Sequence, residues 1–392
     1  MSSRSAKRQP LGDMFPGMPD TLDKRPPKAA DDEAWKARTL DEAIERTHEV
    51  LQRVITEFST GDATSTVTKG RHKGSVRNYG PRETAGKYVL YSGGNDSVIT
   101  ARVCRPYVDG MVHVNTGTAI RQTTEHVRDV AAAWGLPLHE LRPKVRYLDL
   151  VLGKVLSTRG ENKGRPVWRG FPGPGGDSHN VFYQRLKGEP LERFRAQQVG
   201  RDGVRRKVLY ITGTRWDETD RRFRNAGEVT VDGGAVWVSP LIHWTNAHMQ
   251  EYRARYRCSA DHEHAPHHMC TPDALPLNEV TAHLHMSGDC TCGCYAKPDE
   301  LDEIGMFYPE KADEIREMQR VVEAAGEPWC KWGVRPKGTE RAPKGERKVT
   351  PWLCAGCPAP LEGQTDILDD WRDRGLLTDA QYATFTRTTD AA

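Results

Sequence analysis

Residues 92–97 read Ser-Gly-Gly-Asn-Asp-Ser, directly after the apolar run Tyr88-Val89-Leu90-Tyr91. A short buried strand enters a glycine turn, and Ser97-Val98-Ile99-Thr100-Ala101-Arg102-Val103 then begins a helix. Strand, glycine turn and helix in that order narrow the possible folds more than any other stretch of the chain. Gly93 and Gly94 let the backbone approach a phosphate with no Cβ in the way. The unpaired amides at the helix start, at the positive end of its dipole, favour an anion. Ser92, Asn95 and Ser97 add polar groups, and Asp96 is placed to cap the helix. No Gly-Lys-Ser/Thr follows the glycines, so this is not a Walker A loop.

From 87 to 257 the pattern alternates. Strands are expected at 87–91, 111–115, 208–212 and 235–238, with helices at 96–104, 121–134, 147–156, 181–198 (broken at Gly188–Pro190) and 246–256. Such alternation implies an α/β fold, a doubly wound and mainly parallel sheet with its ligands at the carboxyl ends of the strands. Around this nucleotide-binding domain, residues 1–40 read as a Pro-rich basic arm. Residues 41–86 read as an N-terminal helix (Ala43, Ile44, Val50, Leu51, Val54, Ile55 and Phe58 near helical spacing) followed by a loop over 60–86. Residues 258–392 read as a Cys/His-rich metal-binding region with a helix at 311–325 and a helical pair at 367–374 and 378–385. The 392 residues carry a net charge of only +3, which alone points to no nucleic acid. No apolar run approaches ~18 residues and the N-terminus has no apolar signal core, so the expectation is a cytoplasmic protein with no membrane segment.

Nine cysteines, six of them between Cys258 and Cys330, suit an intracellular metal or redox site better than a disulfide framework. Cys290-Thr-Cys292-Gly-Cys294 crowds three thiols into five residues, and Cys354-Ala-Gly-Cys357 has the spacing that sets two thiolates on one metal. Thiolate-rich sites select iron–sulfur clusters or zinc. Candidate ligands are Cys290, Cys292, Cys294, Cys354 and Cys357, with Cys270 in reserve; a thiol left over could carry sulfur as a persulfide. The rival is a structural zinc, with His262, His264, His267 and His268 as possible further ligands. Cys104 reads as a buried small residue, and Cys330 is unassigned. The basic stretch Lys187, Arg193, Arg195, Arg201, Arg205, Arg206 and Lys207 is either solvated surface or a hold on a polyanion.

The 92–97 motif resembles the PP-loop of the ATP pyrophosphatase superfamily, and further segments resemble its PAPS-reductase-like branch. Asn115-Thr116-Gly117 and Arg121-Gln122-Thr123 stand where that branch has Asp-Thr-Gly and Pro-Glu-Thr, with amides replacing the acids. Gly213, Arg215, Glu218, Thr219 and Arg222 fit its Gly-x-Arg-x-x-Glu-Ser-x-x-Arg, and Pro240-Leu241-Ile242-His243-Trp244-Thr245 differs from its motif only at His243. The resemblance implies that ATP with Mg²⁺ binds at Ser92, Gly93, Gly94, Asn95, Asp96, Ser97, Thr116, Gly117 and Gly213, and that Asp96, Arg215 and Arg222 are catalytic. The guanidinium forks of Arg215 and Arg222 suit phosphate or sulfate, unless they pair with Asp217, Glu218 or Asp220. His243 is expected to be structural and Trp244 to lie in the core.

The resemblance further implies a [4Fe-4S] cluster, with Zn²⁺ as the alternative. It implies an enzyme that adenylates a substrate and transfers sulfur to it, in the style of the sulfurtransferases of DNA phosphorothioation. A DNA or tRNA substrate and a sulfur-donor protein are the partners implied. Three other readings stay open: a phosphosulfate reductase, a zinc-containing adenylating ligase, and a non-catalytic nucleotide-sensing or DNA-binding module. The reductase lacks its usual Glu-Cys-Gly segment and adjacent cysteine pair in this sequence.

Overall fold

The computed structural model describes residues 38–173, 176–200, 204, 206–218, 227–256, 274–296, 299–327 and 329–334, with Lys36, Arg372, Thr378 and Asp379. The expected helical pair near the C-terminus lies outside the described residues except at those last three positions.

Helix α1 (Leu40–Ser59) opens with a reciprocal cap: the Glu42 amide donates to Thr39 Oγ1 at 3.3 Å, and the Thr39 amide donates to the Glu42 carboxylate at 2.7 Å. Its buried stripe of Leu40, Ala43, Val50, Leu51 and Val54 packs with Val89, Ile99, Leu209, Val236 and Trp244 in one core. Each such side chain contributes roughly 1.5–3 kcal/mol through burial. Trp244 Nε1 donates to Thr47 Oγ1 at 2.9 Å, and Thr47 Oγ1 donates to the Pro240 carbonyl at 3.2 Å. The N-terminal helix is thereby a wall of the α/β unit.

Residues 60–86 are not a loop. Strands β1 (Asp62–Thr66) and β2 (Val76–Pro81) pair as an antiparallel hairpin, with Thr64 opposite Asn78 and Thr66 opposite Val76. Both faces are largely exposed, so the hairpin leaves no alternating apolar signature for a sequence reading to find.

The central sheet holds β3 (Glu83–Leu90), β4 (Gly110–Val114), β5 (Leu138–Leu141), β6 (Arg206–Ile211), β7 (Val229–Asp232) and β8 (Ala235–Val238), in the order β5-β4-β3-β6-β8-β7. All neighbours are parallel except β7, which runs against β8. The chain steps outward from β3 through β4 to β5 and then returns to place β6 on the other side of β3. That reversal opens a crevice beyond the carboxyl ends of β3, β4 and β6, the place where sheets of this kind bind ligands.

Helices α2 (Asn95–Cys104) and α3 (Arg121–Ala133) follow β3 and β4. The helix expected over 147–156 is only α4 (Tyr147–Val151), because Leu152 leaves helical geometry and Gly153 turns with φ +65°. Helix α5 (Gly176–Tyr183) runs through a π-turn at Gln184–Gly188 into α6 (Glu189–Val199). The expected break at Pro190 is therefore a local widening, with the proline in the first turn of α6, where its missing N–H costs least. Helix α7 (Asn246–Tyr256) closes the unit.

Beyond it come α8 (Glu279–Leu284), α9 (Glu300–Phe307) and α10 (Pro309–Ala324). They share a second core with the α/β unit: Val280, Leu284, Cys294, Ile304, Ile315 and Trp332 pack with Ile120, Tyr147, Leu150, Phe171 and Phe182. Among the described residues no helix is long and apolar enough to cross a membrane.

Candidate nucleotide site and cysteine loop

The turn after β3 is built for close approach. Gly93 has φ +77°, and a Cβ there would lie 3.2 Å from both Thr123 and Val127. Gly94 is the N-cap of α2 and offers no side chain to the helix amides. The cap expected from Asp96 is not made, so the first amides of α2 keep their capacity for an anion. The two serines brace the turn: Ser97 Oγ donates to the Gly94 carbonyl at 2.8 Å, and Ser92 Oγ lies 3.2 Å from Ser97 Oγ.

Asp96 is held elsewhere. Arg215, 2% exposed, donates to one Asp96 oxygen from Nη2 at 3.0 Å and from Nε at 3.3 Å. Its Nη1 reaches Asn246 Oδ1 at 3.1 Å. Arg215, expected as a catalytic guanidinium or else as a partner of Asp217, Glu218 or Asp220, instead forms a clamp with Asp96 that ties α2 to the β6 turn and to α7. Gly213 serves the same clamp, since a Cβ there would meet Thr100 Oγ1 at 2.8 Å and the Asp96 carbonyl at 3.1 Å. Arg222 lies outside the described residues, as does Thr219.

The turn after β4 forms the opposite wall. Asn115 Oδ1 accepts from the Gly117 amide at 3.0 Å, and Asn115 Nδ2 donates to Glu140 Oε1 at 2.9 Å. The second bond gives the amide a physical reason: an aspartate there would set two carboxylates together. Hydrogen bonding from Arg128, aided by Asn115 and Arg142, lowers the Glu140 pKa to about 2. Gly117 turns with φ +78° into open space. Thr116 is buried, its Oγ1 2.9 Å from Thr118 Oγ1.

The cysteine loop lies against these walls. Asn278 caps α8 through Oδ1, while its Nδ2 donates to the Gly93 carbonyl at 2.9 Å and to the Ser287 carbonyl at 3.3 Å. Thr123 Oγ1 donates to the Ser287 carbonyl at 2.6 Å. Ser287 is so close to the glycine turn that a Cβ on Gly94 would stand 2.9 Å from its own. Two residues on, Asp289 accepts from Ser287 Oγ and from Lys187 Nζ, each at 2.7 Å. Cys290 Sγ lies 3.6 Å from Thr118 Oγ1.

Burial opposes charge on both Lys187 and Asp289, but their mutual pairing prevails: the lysine pKa is raised and the aspartate pKa lowered. Cys290 is pushed well up by its contact with Cys292 and by burial. Cys292 is also raised: its bond with Cys290 acts downward, but contact with Cys294 and burial outweigh it. Cys294 is fully buried in the second core, and Tyr147 Oη donates to the Cys292 carbonyl at 2.7 Å.

Neighbouring thiols held in contact suit a cation that would neutralise their thiolates. Among the described residues, however, no group of three or more His, Cys, Asp or Glu is arranged to hold a metal ion. Cys270, Cys354 and Cys357, which the expected ligand set needs, lie outside the described residues, as do Cys258 and the four histidines from His262 to His268. Cys330 packs on the edge of the second core, and Cys104, the last residue of α2, is fully buried. His243 faces Glu228 at 3.4 Å and stacks edge-on against Trp216, and Trp244 is a core residue.

Sequence reasoning did not find Asn278, Ser287, Asp289, Thr118 or His113, and it gave Lys187 only as one cation in a basic run. His113 donates from Nδ1 to the Tyr91 carbonyl at 2.9 Å, and its Nε2 is buried with no partner among the described residues. Burial lowers its pKa, keeping the ring neutral. The buried position of His113 on β4 could have been read from Met111-Val112-His113-Val114; the others meet only through long-range packing.

A strand, a glycine turn and a helix at the reversal of a mostly parallel sheet define an α/β domain of the doubly wound class. Residues 87–259 match the phosphoadenosine phosphosulfate reductase domain, so this part of the chain is PAPS-reductase-like. Among solved structures, a phosphoadenylyl-sulfate (PAPS) reductase from Candida auris, in a phosphate complex, matches at 18% identity. The match covers 50% of this chain and 77% of that one, with a TM-score of 0.32. No curated protein matches the chain.

Proposed function

We propose that the chain binds ATP on Ser92–Ser97, adenylates a substrate with release of pyrophosphate, and passes sulfur to the activated position, with a nucleic acid as the substrate. The observation that carries this reading is the seating of the cysteine loop on the nucleotide turn: Ser287 abuts Gly94, Asn278 bonds Gly93, and Cys290 touches Thr118. A thiol-bearing loop built into the wall of an anion cradle brings sulfur to where a phosphoanhydride would be opened.

In this reading the glycine turn and the amides of α2 receive the phosphates, with Mg²⁺ offsetting their charge. A substrate oxygen attacks the α-phosphorus, forming an AMP ester and freeing pyrophosphate. A sulfur nucleophile then attacks the substrate atom that bears this oxygen; a substrate–sulfur bond forms, the substrate–oxygen bond breaks, and AMP leaves carrying the oxygen. Arg215 keeps Asp96 and α2 in place, so its part is positioning. Lys187 holds the Asp289 end of the cysteine loop. Cys290, Cys292 or Cys294, with Cys354, Cys357 or Cys270, would hold a [4Fe-4S] cluster or a zinc ion; a cluster would supply sulfur chemistry and a zinc ion structural support.

Two measurements test the reading. Protein purified without oxygen should contain iron and acid-labile sulfide, about four of each per chain for a [4Fe-4S] cluster. With ATP it should release pyrophosphate in response to a nucleic acid. One zinc without sulfide turns the reading toward an adenylating ligase, and no pyrophosphate release with any nucleic acid refutes it.

A further inference from the structure

Residues 142–169 contain eight lysines and arginines against two carboxylates, a net of +6 in a chain whose total is +3. Three of the cations are engaged: Arg142 with Glu140, Arg146 with Asp149, and Arg169 with Glu327. Arg159, Lys163 and Arg165 have no ion-pair partner among the described residues, and all three are exposed. They stand on a narrow antiparallel finger, closed by the Val167 amide on the Val155 carbonyl and the Ser157 amide on the Arg165 carbonyl, each at 2.8 Å.

The finger leaves the sheet at its ligand-binding end, after β5 and α4, and its base is anchored to the cysteine loop. Tyr147 Oη bonds the Cys292 carbonyl at 2.7 Å, and the Gly170 amide bonds the Val151 carbonyl at 2.7 Å. The β1–β2 turn is also basic, with Lys69, Arg71 and Lys73, but its hairpin joins β3 at the end away from the 92–97 turn.

We propose that the finger at 155–167 clamps duplex DNA beside the nucleotide site, an inference that rests on the reading of the substrate as a nucleic acid. Three unpaired cations within seven residues repel one another and gain from a polyanion. The shape favours DNA over RNA. Two strands about 4.8 Å apart, with side chains, fit the roughly 12 Å major groove of B-form DNA, whereas the A-form major groove is too deep and narrow.

The test uses the full chain, a mixed-sequence DNA duplex, and a variant R159Q/K163Q/R165Q beside the charge-matched K69Q/R71Q/K73Q. Loss of three phosphate contacts should make the slope of log affinity against log salt shallower by about 2.7, with affinity roughly 10²- to 10³-fold weaker at 0.1 M salt. The β1–β2 variant should bind within a few-fold of the parent, and both variants should keep the parent's thermal unfolding and ATP binding. Equal losses in the two variants, no loss in the finger variant, or tighter binding to an RNA duplex of the same sequence each overturn the proposal. Duplex binding that depends on the finger, without any pyrophosphate release, fails the proposed chemistry and leaves the clamp standing. Pyrophosphate release driven by DNA with an unimpaired finger variant fails the clamp alone.

Discussion

Substituting Gly94 by alanine tests whether the cysteine loop is seated on the nucleotide turn. Gly94 has φ −83°, so alanine is conformationally acceptable, and the whole effect comes from space. The new methyl would stand 2.9 Å from the Ser287 Cβ, whereas carbon atoms settle at about 3.5–4.0 Å. Ser287 cannot yield freely, because its carbonyl is held by Thr123 at 2.6 Å and its Oγ by Asp289 at 2.7 Å. Overpacking of this kind costs about 1–3 kcal/mol. Ser287→Gly removes the opposing Cβ, leaving the Ser92 Oγ at 3.5 Å and the Ser287 Cα at 3.7 Å as ordinary contacts. It also loses one hydrogen bond, about 1 kcal/mol. Urea unfolding without nucleotide should show G94A destabilised in the parent and nearly neutral beside S287G, a coupling of about 1–3 kcal/mol. Strict additivity of the two substitutions would refute the seating, and with it the observation on which the proposed function stands.

Other outcomes follow from the same geometry. Asp96→Asn should cost about 3–5 kcal/mol in denaturant unfolding, because it leaves the buried guanidinium of Arg215 without its carboxylate; an unchanged midpoint would return Asp96 to a purely chemical role. Glu140 has a folded pKa lowered to about 2 against an ordinary 4.5. Its contribution to stability is therefore complete above pH 4.5 and lost as pH falls toward 2, and Glu140→Gln should flatten that part of the stability–pH curve. Asn115→Asp should destabilise the fold at neutral pH by roughly 0.5–1 kcal/mol, as like charges placed together do, and the penalty should shrink on acidification. Lys187→Met should cost roughly 3 kcal/mol by stranding Asp289 and should slow alkylation of Cys290, because the lost cation favours its thiolate, measured by thiol labelling of the native protein.

The parts of the fold legible in the sequence are those whose signal is local. Val208–Ile211 and Ala235–Val238 are apolar runs between turns, and α7 begins and ends where its pattern does. The strand β5, Leu-His-Glu-Leu, has only two apolar residues and borrows its stability from pairing with β4, so no period marks it. The strand, glycine turn and helix around 92–97 were legible because they follow one another directly in the chain. The partner of Arg215 was not, because three carboxylates lie within five residues of it and the one it pairs with lies 119 residues away. Likewise the two strongest sequence signals, the glycine turn and the cysteines near 290, read as separate domains. Nothing local in Asn278 or Ser287 announces that they join them.

Asn278 bears one consequence for how the molecule opens. One amide group fastens the start of α8 to the glycine turn, so a fluctuation that frays α8 also frees the Gly93 carbonyl. Backbone amides of the turn and of residues 278–289 should then exchange with deuterium at matched rates, as one cooperative unit whose two halves come from either side of residue 258. Inheritance would see the same joint: a chain that discarded its cysteine region would also loosen its nucleotide turn, so the two segments can be altered only together.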